Sequence, residues 1–274
     1  MTLGAPGDLR VTLVQHDTVW HDPAANRARI AEALRAAATP ADLIVLPETF
    51  TTGFSNDAVS SAESMEGESV AWMRALAGER DAAVTGSVQV RVGDAVFNRL
   101  IFATPDGALQ HYDKRHLFRM AREQEWYAAG RRRVVVEYRG WRICPLVCYD
   151  LRFPVFARNR ADAARAGELD YDLLLYVANW PAVRHEVWRT LLRARAMENL
   201  CYVVGVNRAG TDGNGHAYLG GSVAADPLGQ AVVECDAAPG LAHAVLSMEG
   251  LREHRRRFPA HLDADRFTID PAVG

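Results

Sequence analysis

Residues 143–154 read ICPLVCYDLRFP. An apolar run reaches Val147, and Cys148 stands where that run stops and a helix is about to begin. Short apolar runs of this kind, bounded by turn residues, read as buried strands. Upstream, VVVEYRGWRICPLVC (134–148) reads as a hairpin turning at Arg139-Gly140. Downstream, FPVFARNRADAARAG (153–167) reads as a helix, DLLLYVANW (172–180) as a buried strand and HEVWRTLLRARAMEN (185–199) as a further helix. The N-terminal part repeats the alternation: LRVTLVQHD is a strand, ANRARIAEALRAAA an amphipathic helix, DLIVLPE a buried strand and SVAWMRALAGER a helix. Three strands then follow to Lys114, separated by turns at Gly93-Asp94 and Pro105-Asp106-Gly107. CYVVGVN, HAYLGGSVAADPLGQAVVECD and LAHAVLSM supply the last strands. Strands alternating with helices imply an α/β protein with helix-covered sheets, and the hairpins make those sheets mixed.

The 274 residues, 49% hydrophobic and 24% charged, suffice for one large core, so a single domain over 1–274 is expected. A net charge of −3, from 31 basic and 34 acidic residues, argues against a nucleic-acid or membrane-surface partner. The basic triplets Arg131 to Arg133 and Arg255 to Arg257 read as solvated turns. The opening MTLGAPGDLR lacks the apolar stretch of a signal peptide, and no apolar run reaches membrane-spanning length. Cys144, Cys148, Cys201 and Cys235 lack paired metal-ligand spacing, and a cytoplasmic, reduced protein is the expectation. Each cysteine is then a small core residue or a working thiol. Cys144, Cys201 and Cys235 read as core.

Polar residues at strand ends deserve a chemical reading, because a sheet holds several loops rigidly over one crevice. Cys148 is either packed or reactive; the N–H groups of a following helix start would lower its pKa and would donate to an oxyanion. Glu48 ends DLIVLPE and is either an exposed turn residue or a general base. Lys114 ends LQHYDK, where a lone lysine is usually a surface residue. Glutamate, lysine and cysteine at three strand ends, in that chain order, suggest one site.

These residues lie in LPETF (46–50), YDKRHLF (112–118) and LVCYDLRFP (146–154), and that set resembles the nitrilase superfamily of carbon–nitrogen hydrolases. YVANWP (176–181), RARAMEN (193–199) and GVNRAG (205–210) extend the resemblance, which runs from about residue 9 to about 260 and is strongest to the omega-amidase branch. It implies a four-layer α-β-β-α sandwich of two mixed β-sheets with helices on both outer faces. It further implies a homodimer or higher homo-oligomer. Cys148 becomes the nucleophile, Glu48 the general base and Lys114 the third member. A second glutamate is expected in RMAREQEWY, as Glu123 or the nearby Glu125. No cofactor or metal is implied.

The implied reaction is hydrolysis of the terminal amide of short dicarboxylic acid monoamides, such as 2-oxoglutaramate, 2-oxosuccinamate or succinamate, through a cysteine thioester. The distal carboxylate needs a cation or clustered donors. Arg152 is one candidate, although it could brace Asp150 or a backbone carbonyl; Phe118, Tyr149 and Trp180 frame the pocket. Alternatives are nitrile, N-carbamoyl or aliphatic amide hydrolysis, a catalytically silent scaffold or binding member, and a thiol-regulated protein. The segment from Arg255 onward is polar, and crosses to a partner subunit or lies on the surface.

Overall fold

The computed structural model describes residues 7–162 and 168–269. In chain order the elements are β1 (Leu9–Gln15), α1 (Pro23–Ala37), β2 (Leu43–Val45), α2 (Glu68–Arg80), β3 (Ala83–Val92), β4 (Ala95–Ala103) and β5 (Leu109–Asp113). Next come β6 (Val136–Tyr138), β7 (Trp141–Val147), α3 (Pro154–Ala157), β8 (Ala161–Asp162), β9 (Glu168–Leu169), β10 (Leu173–Ala178) and α4 (His185–Asn199). The last are β11 (Tyr202–Asn207), β12 (Ala209–Thr211), β13 (Ala217–Leu219), β14 (Val223–Ala225), β15 (Ala231–Glu234), β16 (Gly240–Leu246) and α5 (Met248–Arg257).

Two six-stranded sheets form, ordered β16-β1-β2-β3-β4-β5 and β15-β14-β11-β10-β7-β6. The central pairs β1–β2, β2–β3, β7–β10 and β10–β11 are parallel, and the outer pairs are antiparallel. Both sheets are therefore mixed, as the hairpin signals implied.

Period-two alternation decides the layering. Leu9, Val11, Leu13, Leu43 and Val45 join the cluster that holds Trp141, Ile143 and Leu173 of the second sheet. Their neighbours Val14 and Ile44 point the other way, onto Ile30 and Leu34 of α1 and Val70 and Met73 of α2. The first sheet is thus buried on both faces, by the second sheet and by helices. On the far side, α4 buries Trp188, Leu192 and Ala196. A Cβ at Gly205 of β11 would meet the Leu192 methyls and the Trp188 ring, so α4 approaches the strand where only glycine fits. The result is the expected four-layer α-β-β-α sandwich.

Local signals set the helix ends. The Asp22 side chain accepts from Ala25 N (2.9 Å) at the start of α1, with Pro23 as the first helical residue, and Ala38 ends the helix in the left-handed region.

Two expectations change. The helix read over 153–167 stops at Ala157, and residues 163–167 lie outside the described residues. The reason is side-chain competition: Asn159 N donates to Asn199 Oδ1 (2.8 Å), and Asn159 Nδ2 donates to the carbonyls of Tyr171 and Asn199. The basic triplets are not merely solvated. Arg133 pairs with Asp170, and Arg255 donates to Asp172 (2.7 Å) and to the carbonyls of Leu200 and Tyr171. Arg131, Arg132, Arg256 and Arg257 stay exposed, the last two beside Glu253. Beyond α5, Phe258 and Leu262 face solvent.

Candidate active site

The chain leaves β2, β5, β7 and β10 at the same end of the sandwich, and each exit delivers one polar side chain to a common cavity: Glu48, Lys114, Cys148 and Asn179. The parallel register that sets Val147 beside Val177 brings the exits of β7 and β10 together. All four residues line one cavity of about 540 Å³, a size typical of a small-molecule site.

Glu48 and Lys114 are 0% and 1% exposed, which rules out the turn-glutamate and surface-lysine readings. Lys114 Nζ donates to Glu48 Oε1 (2.9 Å) and to Glu123 Oε1 and Oε2 (3.1 and 2.9 Å). Glu48 Oε1 also accepts from Asn98 Nδ2 (2.8 Å), and Oε2 accepts from the backbone N–H of Asn179 (2.8 Å). Asn179 Nδ2 donates to Glu48 O (2.7 Å) and Thr49 Oγ1 (3.0 Å). These bonds offset the desolvation that a buried carboxylate would otherwise suffer. Burial alone would lower the Lys114 ammonium, but the charges of Glu123 and Glu48 outweigh it and hold the group well above the usual lysine range.

Burial separates Glu123 from Glu125. Glu123 is fully buried on Lys114 and accepts from Phe118 N (2.6 Å), whereas Glu125 is exposed and pairs with Arg122 three residues earlier. Burial raises the Glu123 carboxyl, against the pull of Lys114 and with the push of Glu48.

Cys148 sits just past β7 with φ of 45°, a strained left-handed conformation for a residue with a Cβ. Its Sγ lies 3.9 Å from Asn179 O. The expected lowering of its pKa does not occur: burial first, then the charge of Glu48, push the thiol well above its ordinary value. Helix-start N–H groups are weaker than these two effects, so Cys148 rests as a neutral thiol. Cys144 and Cys201 are buried core residues and Cys235 is half-buried; all four cysteines are unpaired.

Asp150 holds the turn at Cys148 to the loop that carries Lys114. Its Oδ2 accepts from Val147 N (3.0 Å) and Tyr112 Oη (2.8 Å), and its Oδ1 accepts from His116 N (3.0 Å) and faces His116 Nδ1 (2.7 Å). The His116 ring stacks on Phe153 at 3.7 Å. Lys114 is fixed from behind as well: Gly130 N donates to its carbonyl (2.9 Å), and a Cβ at Gly130 would collide with the Asp113 carbonyl.

Phe118, Tyr149 and Trp180 all line the cavity. Among the described residues Arg152 braces neither Asp150 nor a carbonyl; its guanidinium lies over the Trp180 ring, 5.1 Å from the centroid. Among the described residues no group of three or more His, Cys, Asp or Glu is placed to hold a metal ion.

Residues 10–256 match the family pattern described as Carbon-nitrogen hydrolase. The chain belongs to the carbon–nitrogen hydrolase family. Within it, the chain is 49% identical to omega-amidase YafV of Yersinia enterocolitica over 95% of its own length and 98% of that protein's. It is 29% identical to the 2-oxoglutaramate amidase of Bacillus subtilis, covering 92% of this chain and 96% of that one. The crystal structure of XC1258 from Xanthomonas campestris, a carbon–nitrogen hydrolase superfamily protein with an arsenic adduct in its active site, superposes with a TM-score of 0.94. That structure shares 57% identity and covers 96% of this chain and 99% of its own. The resemblance to the nitrilase superfamily and its omega-amidase branch holds, and the chain is an omega-amidase-like carbon–nitrogen hydrolase.

Sequence reasoning missed Asn98 and Asn179, and did not see Asp150 as a hub. Asn179 was within reach, since it ends the apolar run DLLLYVANW by the same signal that picked out Glu48 and Cys148. Among the described residues no helix is long and apolar enough to cross a membrane.

Proposed function

We propose that this carbon–nitrogen hydrolase releases ammonia from the terminal amide of short dicarboxylic acid monoamides, such as 2-oxoglutaramate and succinamate. One observation carries the chemistry: a neutral thiol opens on the same cavity as a buried carboxylate whose position is fixed on both oxygens. In this reading Glu48 takes the thiol proton as Cys148 Sγ attacks the amide carbon, and a tetrahedral oxyanion forms. The Lys114 ammonium and the backbone N–H of Tyr149 stabilise that oxyanion. Glu48 passes the proton to the nitrogen, the carbon–nitrogen bond breaks, and ammonia leaves a thioester behind. Glu48 then takes a proton from water, whose oxygen attacks the thioester; the acid departs and the thiol is restored. Glu123 keeps Lys114 oriented and charged throughout.

The substrate class is supported by the relatives named as omega-amidase and 2-oxoglutaramate amidase, and by Arg152 on the cavity wall, able to meet a distal carboxylate. Unpaired cysteines are consistent with work in the cytoplasm.

The test is ammonia release from 2-oxoglutaramate and succinamate by wild type beside Cys148→Ala. Release by wild type and its loss in the variant is expected. A folded wild type that releases none from either substrate would overturn the substrate class, and a Cys148→Ala enzyme that keeps turning over would overturn the mechanism.

A further inference from the structure

The charges around the cavity are unevenly engaged. Glu48 is taken up by Lys114, Asn98 and Asn179. Asp212, also on the wall, accepts from Tyr218 Oη (2.9 Å) and from the N–H groups of Asn214 and His216 (2.9 Å each). Both acids and the lysine are therefore satisfied by protein partners. Arg152 and Arg184 are different. Both line the cavity, and neither guanidinium makes an ion pair or a hydrogen bond among the described residues. Most arginines elsewhere in the fold are paired, Arg99 with Asp113 and Arg142 with Asp172 among them, so two unengaged guanidiniums on one wall call for a ligand.

Their aromatic supports show how they are held. The Arg184 guanidinium lies over the Phe118 ring at 5.4 Å, and the Arg152 guanidinium lies over Trp180 at 5.1 Å. A guanidinium on an aromatic face keeps its N–H edge free for a planar anion. The supports are themselves fixed: Trp180 Nε1 donates to Arg184 O (2.8 Å), Trp180 N donates to Asn207 Oδ1 (2.8 Å), and Phe118 packs edge-on against Tyr149 at 5.0 Å. Phe118 N is held by Glu123, so the wall is tied to the catalytic cluster.

We propose that Arg184 and Arg152 together clamp the far carboxylate of the substrate, which makes Arg184 a specificity-determining residue. This assignment rests on the amide-hydrolase reading above. A carboxylate held at the wall leaves the opposite end of a linear chain to reach Cys148, so the site selects amides that carry an anion at the other terminus. A dicarboxylate without an amide should occupy the same place and shield the thiol.

Two readouts test it. The first compares steady-state kinetics on succinamate and on neutral butyramide for wild type, Arg184→Met and Arg152→Met. The preference for succinamate should fall about 10-fold in each variant, equivalent to about 1.4 kcal/mol, with the loss in KM rather than kcat. The second, free of turnover, follows alkylation of Cys148 by iodoacetamide with and without glutarate. Glutarate should protect wild type and protect Arg184→Met about 10-fold less well, while Arg184→Lys should fall between, because it keeps the charge and loses the fork. Equal losses on succinamate and butyramide, or undiminished glutarate protection in Arg184→Met, would overturn the clamp. Protection by glutarate in a wild type that hydrolyses neither amide would leave the clamp standing and overturn the amidase reading instead.

Discussion

Asp150→Asn is the substitution with the most calculable consequence. The native carboxylate receives four donors, two on each oxygen: Val147 N and Tyr112 Oη on Oδ2, His116 N and Nδ1 on Oδ1. An amide replaces one acceptor oxygen with an NH2 donor. If the new NH2 takes the Oδ2 place, Tyr112 can rotate its hydroxyl to accept, but Val147 N–H is left facing another donor. If it takes the Oδ1 place, His116 N–H is orphaned in the same way. One buried backbone N–H is lost in either case, at about 1–3 kcal/mol, and the surviving bonds fall from charge-assisted to neutral, at about 1 kcal/mol each. We expect about 3–5 kcal/mol of lost stability, read as a lower urea-unfolding midpoint with an unchanged slope. Activity should suffer too. Cys148 stands at φ of 45°, a conformation that costs about 1–2 kcal/mol and persists only where the surroundings impose it. Loosening Val147 on one side and His116 on the other moves Cys148, the proposed nucleophile, relative to Lys114, and kcat/KM should fall about 100-fold. A variant with wild-type midpoint and turnover would refute the reasoning. Lost stability with intact turnover would show that the hub braces the fold without setting the site.

Other expectations follow from the same geometry. Glu123→Gln should cut kcat/KM by about 10–100-fold, because Lys114 then leans wholly on Glu48 and weakens it as a base. Its stability relative to wild type should improve as pH rises above about 4, because burial raises the native Glu123 carboxyl and that group's contribution is lost as it ionises; urea titrations at pH 4 and pH 8 check the sign. Burial pushes the Cys144 thiol up to about 12, so its folded pKa exceeds its unfolded one. The corresponding stability is present below about pH 8.5 and drains away as pH climbs toward 12, by about 5 kcal/mol at most, and Cys144→Val should flatten that alkaline slope. Gly130→Ala should lower both the unfolding midpoint and turnover, since the added methyl drives against the Asp113 carbonyl beside Lys114. Loss of stability with unaltered kcat/KM would show that Lys114 does not depend on this contact.

What the sequence determined by itself was whatever local pattern encodes. Apolar runs and their alternation specified the strands of both sheets, and turn residues marked the hairpins at Gly93 and Gly140. Glu48, Lys114 and Cys148 could be named because each stands within three residues of a strand end, and a strand end is a position visible in one dimension. The helix read over 153–167 failed because helical propensity there lost to bonds from Asn159 to Asn199, 40 residues away. The choice between Glu123 and Glu125 needed burial, which two similar neighbours in one segment do not reveal. The partners that tune the site lie farther off still: Asn179 reaches Glu48 across 131 residues and Asn98 across 50. The thiol's pKa went opposite to the local expectation for the same reason, because enclosure by distant chain outweighs the dipoles of one short turn. Arg152 and Arg184 stand out only when every other charge around the cavity has been matched with its partner. Desolvation and charge pairing are properties of three-dimensional neighbourhoods, and those exist only once the two sheets have closed on each other.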